Sequence, residues 1–249
     1  MKWWSALVAG ALTLAIAGTA GATTVVIDHF DMGGYGILSV QGVDGATATS
    51  GNIAVADVLG GYRNVILTLI DKGSTTQAST SNLTITPSLH QLDWDNNDGN
   101  RSQVEVQYFG AGGTGFTATD LTSGGTNKVW LFNYGNWATG DALERVTITA
   151  YSSATAYTMW QVNLQNTPTG FGGTAMIPFS AYLSQTGGGA DLAAVTMLDY
   201  LFDMTPSLSG GKNYSFDAFE AAVPEPVTMA GLMLGVGGLA TYIRKRRTA

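Results

Sequence analysis

The chain has 249 residues, a formal net charge of −7 at pH 7 and no cysteine. Disulfide frameworks, thiolate metal sites and cysteine nucleophiles are therefore excluded. The charge is unevenly spread. Setting aside Lys2, the four terminal cations and Glu225 leaves six cations against seventeen acids over residues 23–222, about −11, a balance that repels phosphate backbones and argues against nucleic acid as a partner.

Residues 1–22 carry the features of a signal peptide. Lys2 is the positive start, Trp3 to Gly18 is apolar apart from Ser5 and Thr13, and Ala20-Gly21-Ala22 is a small-residue cleavage site. The body is expected to begin at Thr23. Between Thr23 and Ala222 no long helical periodicity occurs. Short alternating segments recur instead, separated by Gly, Asn, Asp, Ser and Thr. Val104 to Tyr108, Arg145 to Tyr151 and Trp160 to Leu164 alternate, and Val65 to Ile70 reads as a strand buried on both faces. Such strands with glycine-rich connections predict an all-β antiparallel β-sandwich or jelly roll. Leu192 to Met204, nearly continuous in apolar residues, fits either a helix or a buried strand.

Around Asn97-Asp98-Gly99 a three-residue hairpin loop is expected, pairing Leu92 with Val104 and His90 with Val106. The same stretch, from Asp93, superficially fits a calcium loop. Gly99 and Glu105 fall one position late for an EF-hand, so the turn reading is preferred. Gly110 to Gly115 satisfies Gly-x-Gly-x-x-Gly, yet Phe116 to Leu121 lacks the amphipathic helix that pyrophosphate binding needs, which leaves a loop. Trp130 and Trp160 sit within apolar alternation and are expected in the core. Tyr134 and Trp137 lie in a polar, turn-rich segment, where an aromatic face beside Asn and Asp suits a sugar ring. The competing expectation is that Trp137 folds back over the sandwich rim.

His29 and His90 stand in no nucleophile–base arrangement and read as ordinary strand residues. The body holds three glutamates, Glu105, Glu144 and Glu220, so a carboxylate-based glycosidase has few candidates. Ile27-Asp28-His29-Phe30 near the start matches Phe216-Asp217-Ala218-Phe219 near the end. Such Asp-centred terminal strands, with Gly60-Gly61-Tyr62-Arg63 entering the Val65 strand, resemble jelly-roll carbohydrate-binding domains, in which the first and last strands lie side by side. That resemblance implies carbohydrate as a ligand, and no catalytic residues are expected because no G-x-S-x-G, H-E-x-x-H or Walker sequence occurs. The resemblance also brings Asp28, Asp31 and Asp217 together as the place for any structural calcium, against the plainer reading that edge aspartates deter aggregation. No other cofactor is expected.

The C-terminal 27 residues have three blocks. Val223-Pro224-Glu225-Pro226 is held extended by its prolines. Val227 to Ile243 is uncharged for 17 residues, about 26 Å as a helix and the short end of a membrane span. Arg244, Lys245, Arg246 and Arg247 would hold the terminus in the cytoplasm. This tail, residues 223–249, resembles the PEP-CTERM sorting signal of exosortase-processed bacterial proteins. The resemblance implies that Pro224, Glu225 and Pro226 form the processing motif and that an exosortase-type membrane transpeptidase is a partner. It further implies an inner-membrane-anchored precursor, with transmembrane helix 227–243, released to the cell surface of a Gram-negative bacterium. The expected function is an exported structural or carbohydrate-binding protein of an exopolysaccharide or biofilm matrix. Alternatives are a surface polysaccharide hydrolase and an ice-binding or adhesive protein, the last prompted by Thr-x-Thr pairs at 47/49, 84/86, 117/119 and 147/149.

Overall fold

Alternation in this chain becomes strand almost everywhere that it occurs. The computed structural model describes residues 24–31, 36–72, 80–96, 99–136, 144–164, 172–204 and 213–223. In chain order the strands are β1 (Val25–Asp28), β2 (Leu38–Gln41), β3 (Thr47–Thr49), β4 (Ile53–Ala54), β5 (Tyr62–Asp71), β6 (Thr80–Thr86), β7 (Gln91–Asn96) and β8 (Arg101–Phe109). They continue with β9 (Val129–Asn136), β10 (Glu144–Ser153), β11 (Ala156–Leu164), β12 (Gly172–Pro178), β13 (Ser184–Thr186), β14 (Met197–Asp203) and β15 (Tyr214–Ala222). Only single 3-10 turns interrupt them among the described residues.

Two antiparallel sheets result. Sheet A runs β12-β9-β15-β7-β6-β2, with β1 pairing β15; sheet B runs β13-β11-β10-β14-β8-β5-β3, with β4 pairing β5. The expected all-β sandwich is what the body, Thr23–Ala222, forms. The first and last strands do lie side by side, Val25 opposite Ala221 and Val26 opposite Glu220. Among the described residues no helix is long and apolar enough to cross a membrane. Residues 1–22, expected to be a signal peptide, and the tail 224–249, including Pro224, Glu225, Pro226 and the 227–243 segment, lie outside the described residues.

Inward residues of the two sheets meet in one core. Trp130 and Trp160 pack edge to face across it, with centroids 5.1 Å apart, as expected of core tryptophans. Phe132, Phe202, Phe216 and Phe219 form a second aromatic cluster, with Phe202 and Phe216 at 4.2 Å. Two polar links join the sheets where backbone register alone would not. The Trp94 indole N–H donates to Ser102 Oγ at 2.9 Å, and the Ser102 and Ser81 hydroxyls both donate to Asn96 Oδ1 at 2.5 Å. At the other, Asp28 on β1 accepts from Arg63 Nη1 of β5 at 2.6 Å, from the Tyr108 hydroxyl of β8 at 3.0 Å and from Phe30 N at 2.7 Å. Both ionised side chains are almost wholly buried. Burial pushes the Asp28 carboxyl up, while the Arg63 guanidinium and the three hydrogen bonds pull it back.

Two sequence expectations need correction. β7 and β8 do not pair as a hairpin: β7 pairs β6 and β15 in sheet A, and β8 pairs β5 and β14 in sheet B. Leu92 and Val104 are both buried, but they face the core from opposite sheets. Alternation tells which face of a strand is apolar, and the pattern is the same for a hairpin and for an arch between sheets. Val65 to Ile70 is not buried on both faces. Val65, Leu67 and Leu69 fill the core, whereas Ile66, Thr68 and Ile70 are half-exposed on the outer side. Met197 to Asp203 is a strand, which resolves the ambiguity of the Leu192 to Met204 run. Gly110 to Gly115 forms a loop with one 3-10 turn, closed by Gly110 N–H donating to Thr114 O at 2.7 Å, and no helix follows it.

Candidate functional site

The outer face of sheet B is the candidate site. Pairing in register aligns outward side chains from five or six adjacent strands into cross-strand rows. One row runs Met159, Thr149, Asp199, Gln107 and Asn64; the next runs Gln161, Thr147, Leu201, Glu105, Ile66 and Thr49. Thr147 and Thr149 are buried despite facing outward, and Asn64, Glu105, Gln107 and Asp199 are half-buried, so taller neighbours flank these rows.

The polar groups are wired together. Thr49 Oγ1 donates to Asn64 Oδ1 at 2.8 Å, Asn64 Nδ2 to Gln107 Oε1 at 3.0 Å, and Gln107 Nε2 to Glu105 Oε1 at 2.6 Å. Glu105 is hydrogen-bonded in turn to Asp199, two carboxyls that cannot share a bond unless one keeps its proton. Burial and the Glu105 charge push the Asp199 carboxyl up to about 8. The pair therefore holds one proton at neutral pH. Asp199 Oδ1 is buried with no hydrogen-bond partner among the described residues. Beside this row, Tyr151 and Tyr157 are directly opposed on β10 and β11, their rings 5.3 Å apart and tilted by 43°. Burial, with the nearby Asp199 carboxyl, raises the Tyr151 hydroxyl. At the far side Arg145 pairs with Asp203, which also accepts from Gln103 Nε2 at 2.9 Å. The face thus offers flat apolar rings next to fixed amides, hydroxyls and carboxyls, the combination that pyranose rings and their hydroxyls require.

The sequence-predicted residues fall elsewhere. Tyr134 is not a rim side chain: it is buried within the core, beside Phe132 and against Gly173, because its position on β9 points inward. Trp137 lies outside the described residues. Asp28, Asp31 and Asp217 do not assemble as a trio: only Asp31 and Asp217 share a pocket. Asp28 points into the core toward Arg63, Asp31 pairs with His90, and Asp217 faces out from sheet A. Among the described residues no group of three His, Asp or Glu is placed to hold a metal ion. The histidines are not strand residues either. His29 follows β1 and lies 3.3 Å from Glu220, and His90 caps a 3-10 turn in the left-handed conformation. The Thr-x-Thr pairs share no single ladder, being split between β3, β6, a loop and β10. The carboxyl pair and the opposed tyrosines were missed by the sequence reading. Alternation on Arg145 to Tyr151 placed Thr147, Thr149 and Tyr151 on one face, but nothing in it named β11 and β14 as neighbours.

No protein-family model matches this chain, and no curated protein matches it. Among solved structures it is similar to the family 11 carbohydrate-binding module of the cellulosomal cellulase Lic26A-Cel5E of Clostridium thermocellum. That likeness has a TM-score of 0.40 and 12% identity, over 82% of this chain and 96% of that one. The family 30 module of the cellulosomal cellulase Cel9D-Cel44B of the same organism gives a TM-score of 0.37 and 12% identity, over 76% of this chain and 99% of that one. A family 12 xyloglucanase from Bacillus licheniformis gives 0.35 and 9%, over 71% and 99%. At such scores the likeness stops at the two-sheet architecture, and function has to be argued from side chains.

Proposed function

We propose that the protein is an exported, non-catalytic surface protein that binds polysaccharide through the outer face of sheet B. The observation that carries this reading is the opposed Tyr151 and Tyr157 pair beside the hydrogen-bonded row from Thr49 to Asp199. Rings stack on sugar C–H faces, and a row whose amides and carboxyls are already oriented loses little entropy on accepting hydroxyls. The body's acidic balance selects neutral glycans over uronate polymers. The tail fits delivery to the surface by exosortase-type processing at Pro224-Glu225-Pro226, with polysaccharide of the matrix as the partner.

A second reading, polysaccharide hydrolysis, draws on the Glu105 and Asp199 pair, since one carboxyl is protonated and the other ionised at neutral pH. Direct hydrogen bonding sets the two closer than the ~5 Å or more that flanks a scissile glycosidic bond, which favours binding over catalysis.

Retention on a panel of immobilised neutral glucans tests the proposal. Tyr157→Ala should weaken retention by about tenfold, from loss of one stacking contact, with the fold intact. Unchanged retention in both Tyr157→Ala and Tyr151→Ala would overturn it, and reducing-sugar release lost in Glu105→Gln would favour the hydrolase. Sorting is read separately by intact mass: surface material that keeps residues 227–243 contradicts it.

A further inference from the structure

The cations of the described strands are not evenly shared between the sheets. Arg63, Arg101 and Arg145, the strand cations among the described residues, all belong to sheet B. The strands of sheet A carry no Lys or Arg but bear Asp93, Asp95, Asp217 and Glu220 facing outward, besides the inward Asp28. Within this anionic face is a pocket of about 330 Å³ lined by His29, Asp31, Leu89, His90, Asp217 and Ala218. That volume is at the small end of ligand sites.

The pocket exists because three chain segments turn out of regular strand at one place. Phe30, His90 and Ala218 all adopt positive φ, and the β15 register shifts between Asp217 and Glu220. His29 and His90 are each engaged with a carboxylate, Glu220 and Asp31 respectively. Asp217 makes no hydrogen bond or ion pair among the described residues, so its charge is available to a ligand. Leu89 and Ala218 add a small apolar wall. The three carboxylates at and around the rim are not arranged as metal ligands. They do set a negative potential at a site where imidazole nitrogens and carboxylate oxygens can exchange hydrogen bonds with hydroxyls.

We infer that this pocket binds a small hydroxylated organic cation, an amino sugar with a free ammonium group, with Asp217 and Asp31 meeting the charge and the imidazoles meeting hydroxyls. The pocket opens on the opposite sheet from the Tyr151 and Tyr157 face, so the inference stands or falls apart from polysaccharide binding there.

Calorimetric titration of the full-length chain with glucosamine, glucose and N-acetylglucosamine at pH 7.5 tests it. Glucosamine should bind saturably and at least about fivefold tighter than either uncharged sugar, the scale of one partly exposed charge pair. Asp217→Asn should remove most of that preference, and Tyr157→Ala should leave it unchanged. If Asp217→Asn does not fold, Asp31→Asn carries the same expectation. No saturable glucosamine binding, equal binding of glucose, or a preference untouched by the aspartate variants overturns the inference. So does calcium binding that Asp217→Asn abolishes without any response to glucosamine, since the charge would then serve a metal ion.

Discussion

Asp199→Asn separates the cost of an outward carboxyl from everything else that titrates in this acidic body. Asp199 is lifted to about 8 by burial and by Glu105, from an ordinary carboxylate value of 3.8. Between those two values the native protein keeps a proton that the unfolded chain has released. Native proton binding exceeds unfolded, so stability must fall as pH rises through the window from about 4 to about 8. At ~1.4 kcal/mol per pH unit the whole window corresponds to about 6 kcal/mol. Solvent screening at a half-buried face, and the sharing of the proton with Glu105, bring the expected loss to about 2–3 kcal/mol. Asparagine preserves the shape and donates an N–H to Glu105 in place of the carboxyl proton, but it cannot ionise. Urea unfolding at pH 5 and at pH 9 should therefore show a wild-type decline that the variant lacks, the variant being more stable by about 2–3 kcal/mol at pH 9. Contributions from the other acids cancel in the difference between the two proteins. Parallel curves for wild type and variant would refute the shared proton.

Two further outcomes follow from the core. Asp28→Asn leaves the buried Arg63 guanidinium without its counter-charge and should cost about 3–5 kcal/mol in denaturant unfolding. Asp28→Leu with Arg63→Met together should recover most of that loss, and a double variant as unstable as the single would contradict the desolvation argument. Gly60 and Gly61 give a matched pair, both at positive φ. A Cβ on Gly60 would stand 2.5 Å from Phe116 Cδ1 and 2.8 Å from the Phe109 carbonyl, whereas one on Gly61 meets nothing within 4 Å. Gly61→Ala should cost about 1–2 kcal/mol from backbone strain alone, and Gly60→Ala about 1–3 kcal/mol more from the clash, measured by thermal unfolding.

The sequence by itself determined the class of the fold. Period-two alternation with glycine-rich breaks admits only strands, and it correctly put Trp130 and Trp160 inside. The resemblance carried by the Asp-centred terminal segments also implied that the first and last strands would lie together, as β1 and β15 do. Tertiary structure decided who sits beside whom. Alternation assigns each side chain to a face but leaves the neighbour open, so Leu92 to Tyr108 was equally consistent with a hairpin or with an arch crossing between sheets. The same ambiguity concealed the direction of Asp28, whose carboxyl is inward because Arg63 and Tyr108 await it there. It concealed the shared proton as well: Glu105 and Asp199 belong to strands far apart in the chain, and only the register of β8 against β14 brings them into one row. A carboxyl's proton affinity depends on the charges and the burial around it, and those are properties of packed neighbours that no one-dimensional pattern contains.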